Sequence, residues 1–84
     1  MIGYEFTVYA YKELRNLPQS EQRRIVKKIK EYLSGEDPLE YAKKLQGVPG
    51  KVYRFRIGDY RVIFDFLGSK ILIIRVGHRK EIYR

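Results

Sequence analysis

The sequence predicts an α+β fold: an N-terminal strand, an antiparallel helical hairpin, and a mostly antiparallel sheet of four or five strands carrying both helices on one face. Three observations lead there. Apolar residues recur at helical spacing in two adjacent segments between residues 10 and 33, the period changes to two after Lys51, and residues 70–76 are nearly all β-branched or aliphatic. A helical hairpin must bury its stripes, and the sheet supplies the only large apolar face that can receive them.

Met1–Phe6 is short and rich in apolar and aromatic residues and reads as a strand, with Thr7 placed to cap the first helix. Ala10, Leu14 and Leu17 form one helical stripe with Tyr11 beside it, and Pro18 ends that helix because proline disfavours helical geometry in the residue before it. Ser20 is the expected N-cap of a second helix, with Glu21 where the helix dipole favours an acid. Ile25, Val26, Ile29, Tyr32 and Leu33 mark its buried face, and the basic run Arg23, Arg24, Lys27, Lys28 and Lys30, interspersed with Glu21 and Glu31, reads as a solvated outer face. Gly35 suits a left-handed cap after Ser34. Asp37-Pro38 marks a turn, Leu39–Leu45 is expected to add a short helical turn, and Gly47-Val48-Pro49-Gly50 is a loop by composition.

In the second half, Tyr53, Phe55 and Ile57 alternate with Arg54 and Arg56, which gives a strand one apolar and one basic face. Gly58-Asp59 is a tight turn into a strand over residues 60–66, and Leu67-Gly68-Ser69 turns again into Lys70–Val76. Gly77 is expected to break that strand, with Lys80–Tyr83 adding a last short piece. No repeat or linker appears, so residues 1–84 read as a single domain.

Composition narrows the function classes. With no cysteine and one histidine, His78, disulfides and thiolate or histidine-rich metal sites are excluded, and neither a metal nor a cofactor is expected. The longest apolar run, Ile71–Ile74, is far short of the roughly 20 residues that span a bilayer, so no membrane partner is expected. Met1–Thr7 lacks the charged-then-apolar layout of a signal peptide, and a cytoplasmic location is the expectation. The net charge is +8. Residues 1–41 carry seven basic and seven acidic side chains, whereas residues 42–84 carry eleven basic against three acidic, so the whole excess lies in the second half. Such concentration points to a polyanionic partner, most often nucleic acid.

Arg54 and Arg56 share one face of a strand with Cα atoms about 6.5–7 Å apart, near the separation of successive phosphates. Guanidinium groups bind phosphate in bidentate fashion and keep their charge. Arg61 comes after the tight turn, its side of the sheet left open by the sequence, and Asp59 is an ion-pair partner for one of these arginines. The segment from Arg75 to Arg84 adds Arg79 and Lys80, the lone histidine His78, Glu81, and Tyr83. Arginines beside a histidine and a tyrosine suit RNA cleavage without metal, which needs an aligned 2′-hydroxyl, a neutralised phosphorane and a proton for the 5′-oxygen. Gly47-Val48-Pro49-Gly50-Lys51 lacks the spacing and the Ser/Thr of a phosphate-binding loop.

Three stretches together carry a resemblance over nearly the whole length: Leu45-Gln46-Gly47, residues 53–63 (YRFRIGDYRVI), and residues 76–83 (VGHRKEIY). The chain resembles the RelE/ParE toxin superfamily and looks closest to the RelE-like mRNA interferases. The resemblance implies a microbial-ribonuclease-like fold and a type II toxin that cleaves translated mRNA in the ribosomal decoding site, so inhibiting translation. It also implies a cognate antitoxin protein that wraps the toxin and covers or distorts its site. It assigns catalytic positions to Arg54, Arg56, Arg61, Arg79 and Tyr83, with Lys51 and Lys80 as further RNA-binding groups. The best-known enzymes carry lysines where Arg54 and Arg56 stand. Arginine stays protonated and does not serve as a base, so Tyr83, His78 or Glu81 is the expected proton carrier. Two alternatives stand beside it: a ParE-like inhibitor of DNA gyrase, which shares the fold but does not need the aligned arginines and tyrosine, and a basic RNA-binding module without catalysis.

Overall fold

The structure, a computed structural model, describes residues 2–82. Among the described residues the elements are, in chain order, β1 (Gly3–Phe6), α1 (Val8–Arg15), α2 (Gln19–Leu33), β2 (Ala42–Lys44), β3 (Val52–Ile57), β4 (Tyr60–Phe66) and β5 (Lys70–His78). The strands form one sheet in the order β1-β5-β4-β3-β2, antiparallel except where β1 runs parallel to β5. The two helices pack on one face, as the stripes predict. Ala10, Leu14, Ile25, Ile29 and Leu33 meet Phe55, Ile57, Val62, Phe64, Ile71, Ile73 and Val76 in the main core. Among the described residues, no helix is long and apolar enough to cross a membrane.

Thr7 caps α1 as expected, its Oγ1 accepting from Ala10 N–H at 3.1 Å. The junction with α2 differs from the expectation: Pro18 is the N-cap and Ser20 lies inside the first turn. Among the described residues, no side chain caps the N-terminus of α2; the Gln22 side chain instead donates to the carbonyls of Leu17 (2.8 Å) and Arg15 (3.2 Å), which satisfies the C-terminal end of α1 and ties it to the start of α2. Gly35 does not adopt a left-handed cap. Ser34 ends α2 in helical geometry, with its amide and its hydroxyl both donating to the Glu31 carbonyl, so no left-handed residue is needed.

Two further expectations change. Leu39–Leu45 is not one helical turn: a turn over residues 38–41, opened by Asp37 accepting from Leu39 N–H at 2.9 Å, leads into the short edge strand β2. The open edge of β3 offers backbone partners that three residues of sequence do not advertise. Gly77 does not break β5, which continues to His78 because β4 is long enough to pair with it, Arg61 opposite Gly77 and Tyr60 opposite His78. Residues 79–82 then form a turn instead of a strand, with Glu81 and Ile82 N–H both donating to the His78 carbonyl. Tyr83, at the end of the expected strand, lies outside the described residues.

A register shift in the β4–β5 ladder at Ile63/Phe64 lets Ile74 join an apolar cluster on the helix-free face. Arg75 instead meets Glu13 of α1, its Nε donating at 3.1 and 3.2 Å and a terminal nitrogen at 3.2 Å. Glu13 also accepts from Val76 N–H at 2.9 Å. The hydrogen bond to Glu13 raises the Arg75 pKa above its ordinary value, against the lowering effect of its burial. A raised cationic pKa contributes stability that is fully present below the unfolded-state value and is lost only in strong alkali, so this tie is constant across physiological pH. Replacing Glu13 by Ala is expected to cost about 1–2 kcal/mol, discounted for the exposure of the pair. Urea unfolding of Glu13→Ala and Glu13→Gln checks it, with the glutamine, which keeps an acceptor for Val76 N–H, losing less.

Candidate functional site

The β3–β4 hairpin sets the site. Its register pairs Arg54 with Ile63, Phe55 with Val62, and Arg56 with Arg61. Directly paired residues share a face, so burying Phe55 and Val62 under the helices puts Arg54, Arg56 and Arg61 together on the other side. Only the two-residue turn at Gly58-Asp59 could fix this for Arg61, and Gly58 takes the positive φ (58°) that a tight turn asks of its first residue.

That face carries an apolar cluster and a basic hollow. Val52, Ile63 and Ile82 are buried there, with Leu45 and Ile74 packed against them. Beside them, and sharing Leu45 with that cluster, a hollow of about 550 Å³ is lined by Lys43, Lys44, Leu45, Gln46, Arg54, Arg61 and Arg79. Arg61 is only 8% exposed, and one terminal nitrogen donates to the carbonyls of Gly58 and Tyr60, each at 2.9 Å. Arg79 is anchored to the same turn. Its N–H donates to the Asp59 carbonyl at 2.8 Å, and its Nε lies 3.5 Å from the Asp59 carboxylate, so Asp59 pairs with Arg79 and not with Arg54, Arg56 or Arg61 as expected. Arg24 of α2 stands where a Cβ on residue 58 would have to go, so α2 presses on the turn from behind.

Arg56 is exposed, opposite Arg61, and lines a neighbouring hollow of about 380 Å³ with Glu40, Tyr41, Ala42, Lys43 and Arg54. The two hollows share Arg54 and Lys43. A hollow of about 720 Å³ between β1 and α1 is larger, but mostly apolar groups line it and no cluster of cations converges there.

Other expected site residues are not brought to this hollow. His78 pairs with Tyr60, whose ring packs against the main core, so the histidine turns toward the helix-bearing side. Its ring lies edge-on to Tyr60 at 5.7 Å and its Nδ1 accepts from Lys80 N–H at 3.1 Å. Lys51, Lys80 and Glu81 are exposed and do not line it. Tyr83 is outside the described residues. Sequence reasoning missed Lys43 and Lys44, because their strand reads as part of a helical turn. Their signal was the Lys43–Arg54 pairing, which becomes visible only when β2 docks on β3.

A basic hollow on the free face of a small sheet, backed by a helical hairpin, is the candidate site of this domain. Residues 4–83 match the family described as the ParE toxin of the type II toxin-antitoxin system parDE. The chain belongs to the RelE/ParE superfamily of type II toxins. It is 32% identical over 84 residues to Toxin RelG of Mycobacterium tuberculosis, covering 94% of this chain and 92% of that one. It is 31% identical over 74 residues to Toxin RelE3 of Methanocaldococcus jannaschii, covering 86% and 84%. The toxin-antitoxin complex RelBE2 of M. tuberculosis contains a similar structure, with a TM-score of 0.75 at 26% identity, covering 93% of this chain and 98% of that one.

The turn that holds Arg61 and Arg79 makes Gly58 a sensitive position. Gly58→Ala is expected to destabilise by about 1–2 kcal/mol because alanine resists the left-handed region. Arg24 is the end of a flexible side chain and can move away. The cost should therefore persist in an Arg24→Ala background, as measured by urea midpoints of the single and double variants.

Proposed function

We propose that the chain is a ribosome-dependent endoribonuclease that cleaves translated mRNA and thereby inhibits translation. The observation that supports this most is the convergence of Arg54, Arg61 and Arg79 with Lys43 around one hollow. In the proposed reaction the 2′-oxygen attacks the adjacent phosphorus and the bond to the 5′-oxygen breaks. A 2′,3′-cyclic phosphate is left on one fragment and a 5′-hydroxyl on the other. Arg61 and Arg79 neutralise the phosphorane, while Arg54 and Arg56 hold the neighbouring backbone. Arginines do not exchange protons at physiological pH, so Tyr83 takes the 2′-proton or orients the base. Lys43, which shares the face of Arg54, is suited to protonating the leaving 5′-oxygen, whereas Lys44 pairs with Tyr53 and turns its side chain toward the helix-bearing side. His78, turned to the other face, is not given a role. No metal or cofactor enters this scheme.

The structural neighbour from M. tuberculosis is a toxin-antitoxin complex, which supports a cognate antitoxin for this chain too, covering or distorting the basic face. The ribosomal substrate sets the workplace in the cytoplasm. The matched family is named for ParE, which favours gyrase inhibition as the second reading.

Primer extension on mRNA in a translating extract decides between them. The expected result is cuts at codon positions ending in cyclic phosphate, with Arg61→Ala slowing cleavage about 100-fold or more and Tyr83→Phe also slowing it, circular dichroism being unchanged. Full activity in both variants would remove those roles. Intact mRNA together with inhibited supercoiling would favour the gyrase reading.

A further inference from the structure

The hollow beside the arginine cluster has a feature that phosphate binding does not use. Tyr41 is 58% exposed and lines it with Arg54, Arg56, Lys43 and Glu40. Its ring is stacked on Tyr32, centroids 4.8 Å apart and planes within 26°. Tyr32 in turn leans on the buried Phe55 at 5.1 Å, and Phe55 on Phe64 at 4.6 Å. The Tyr32 hydroxyl also donates a long bond to the Arg56 carbonyl at 3.4 Å. An aromatic column thus runs from the core to the surface and holds the Tyr41 ring in a fixed orientation, at a residue that lines the same hollow as Arg54 and Arg56.

We propose that Tyr41 is a stacking platform for the RNA base next to the scissile phosphate. The proposal rests on the RNA-cleavage reading above and adds a base-binding subsite to it. The two hollows meet at Arg54 and Lys43, so a strand whose reactive phosphate lies by Arg61 and Arg79 carries its neighbouring phosphate over that seam. The attached base then reaches Tyr41. Glu40 decides which part of the nucleotide goes there. A carboxylate repels phosphate but accepts from an exocyclic amino group, so a base fits the Glu40–Tyr41 end and the backbone fits the Arg54–Arg56 end. A preorganised ring costs little entropy when a base stacks on it, and stacking tolerates every base.

The test is a binding cycle with a 5′-labelled ribohexanucleotide carrying 2′-O-methyl groups, which cannot cyclise and is not cut. Anisotropy titrations at fixed salt compare the intact oligonucleotide with versions abasic at one position each. The wild type is expected to lose about tenfold in affinity at one abasic position, within the range of a single base stacked on an aromatic ring. Tyr41→Phe should bind like the wild type. Tyr41→Ala should lose about tenfold on the intact strand and nothing more when that same base is missing. Equal urea midpoints show that the exposed substitution leaves the fold intact. Unchanged affinity in Tyr41→Ala, or the same loss on every oligonucleotide including all the abasic ones, overturns the platform. If the wild type cuts mRNA in a translating extract but the cycle shows no coupling, the platform alone fails. If the wild type neither cuts nor binds RNA, the cleavage reading fails and the platform falls with it.

Discussion

Side chains on a strand alternate, and in the β3–β4 hairpin that alternation has no slack. Phe55, Ile57, Val62 and Phe64 are all within 1% of complete burial under the helices. A slip of one residue would send arginines into that core, and burying an unpaired charge costs several kcal/mol. The register is therefore held by the core, and the positions of Arg54, Arg56 and Arg61 on the opposite face are a consequence of it. The basic face is in this sense the reverse side of the hydrophobic core.

The second constraint lies in β5, which must serve both layers. The register shift opposite Ile63 and Phe64 lets Ile73 and Val76 remain in the main core while Ile74 joins the apolar cluster beside the hollow. Arg75 is then free to meet Glu13, with the Tyr9 ring 5.5 Å from its guanidinium carbon. One irregularity thus fills the cluster beside the basic hollow and fastens α1 to the sheet. Ile82, brought back by the turn after His78, completes the same cluster.

Periodic elements were legible in the sequence because a single segment carries their signal. The stripes of α1 and α2, the alternation of β3 and the turns at Gly58 and Gly68 all appear where expected. Features that depend on a partner were not legible. β2 exists because β3 has an open edge, and Lys43 joins the site only through its pairing with Arg54. The same limit explains His78. The sequence groups it with Arg79 and Lys80 by adjacency, yet its pairing with Tyr60 turns it toward the helices while the next residue, Arg79, lines the hollow. Linear density of polar groups is a poor guide wherever a strand sorts its residues onto two faces.

The site is built at a cost to the empty fold. Arg56 lies directly opposite Arg61, and Lys43 directly opposite Arg54. Like charges in such cross-strand pairs are destabilising, at roughly 0.2–1 kcal/mol each. The apolar cluster beside them excludes water from one side and strengthens the field in the hollow. Part of that cost is offset by the bonds that Arg61 and Arg79 make to the turn between the two strands. Negative charge placed among these groups removes the repulsion, so any polyanion that binds here stabilises the fold by an amount that grows as RT ln(1 + [L]/Kd). A polyanion that bound here would therefore link occupancy to stability through one surface, strengthening the folded state through side chains that otherwise face one another as like charges.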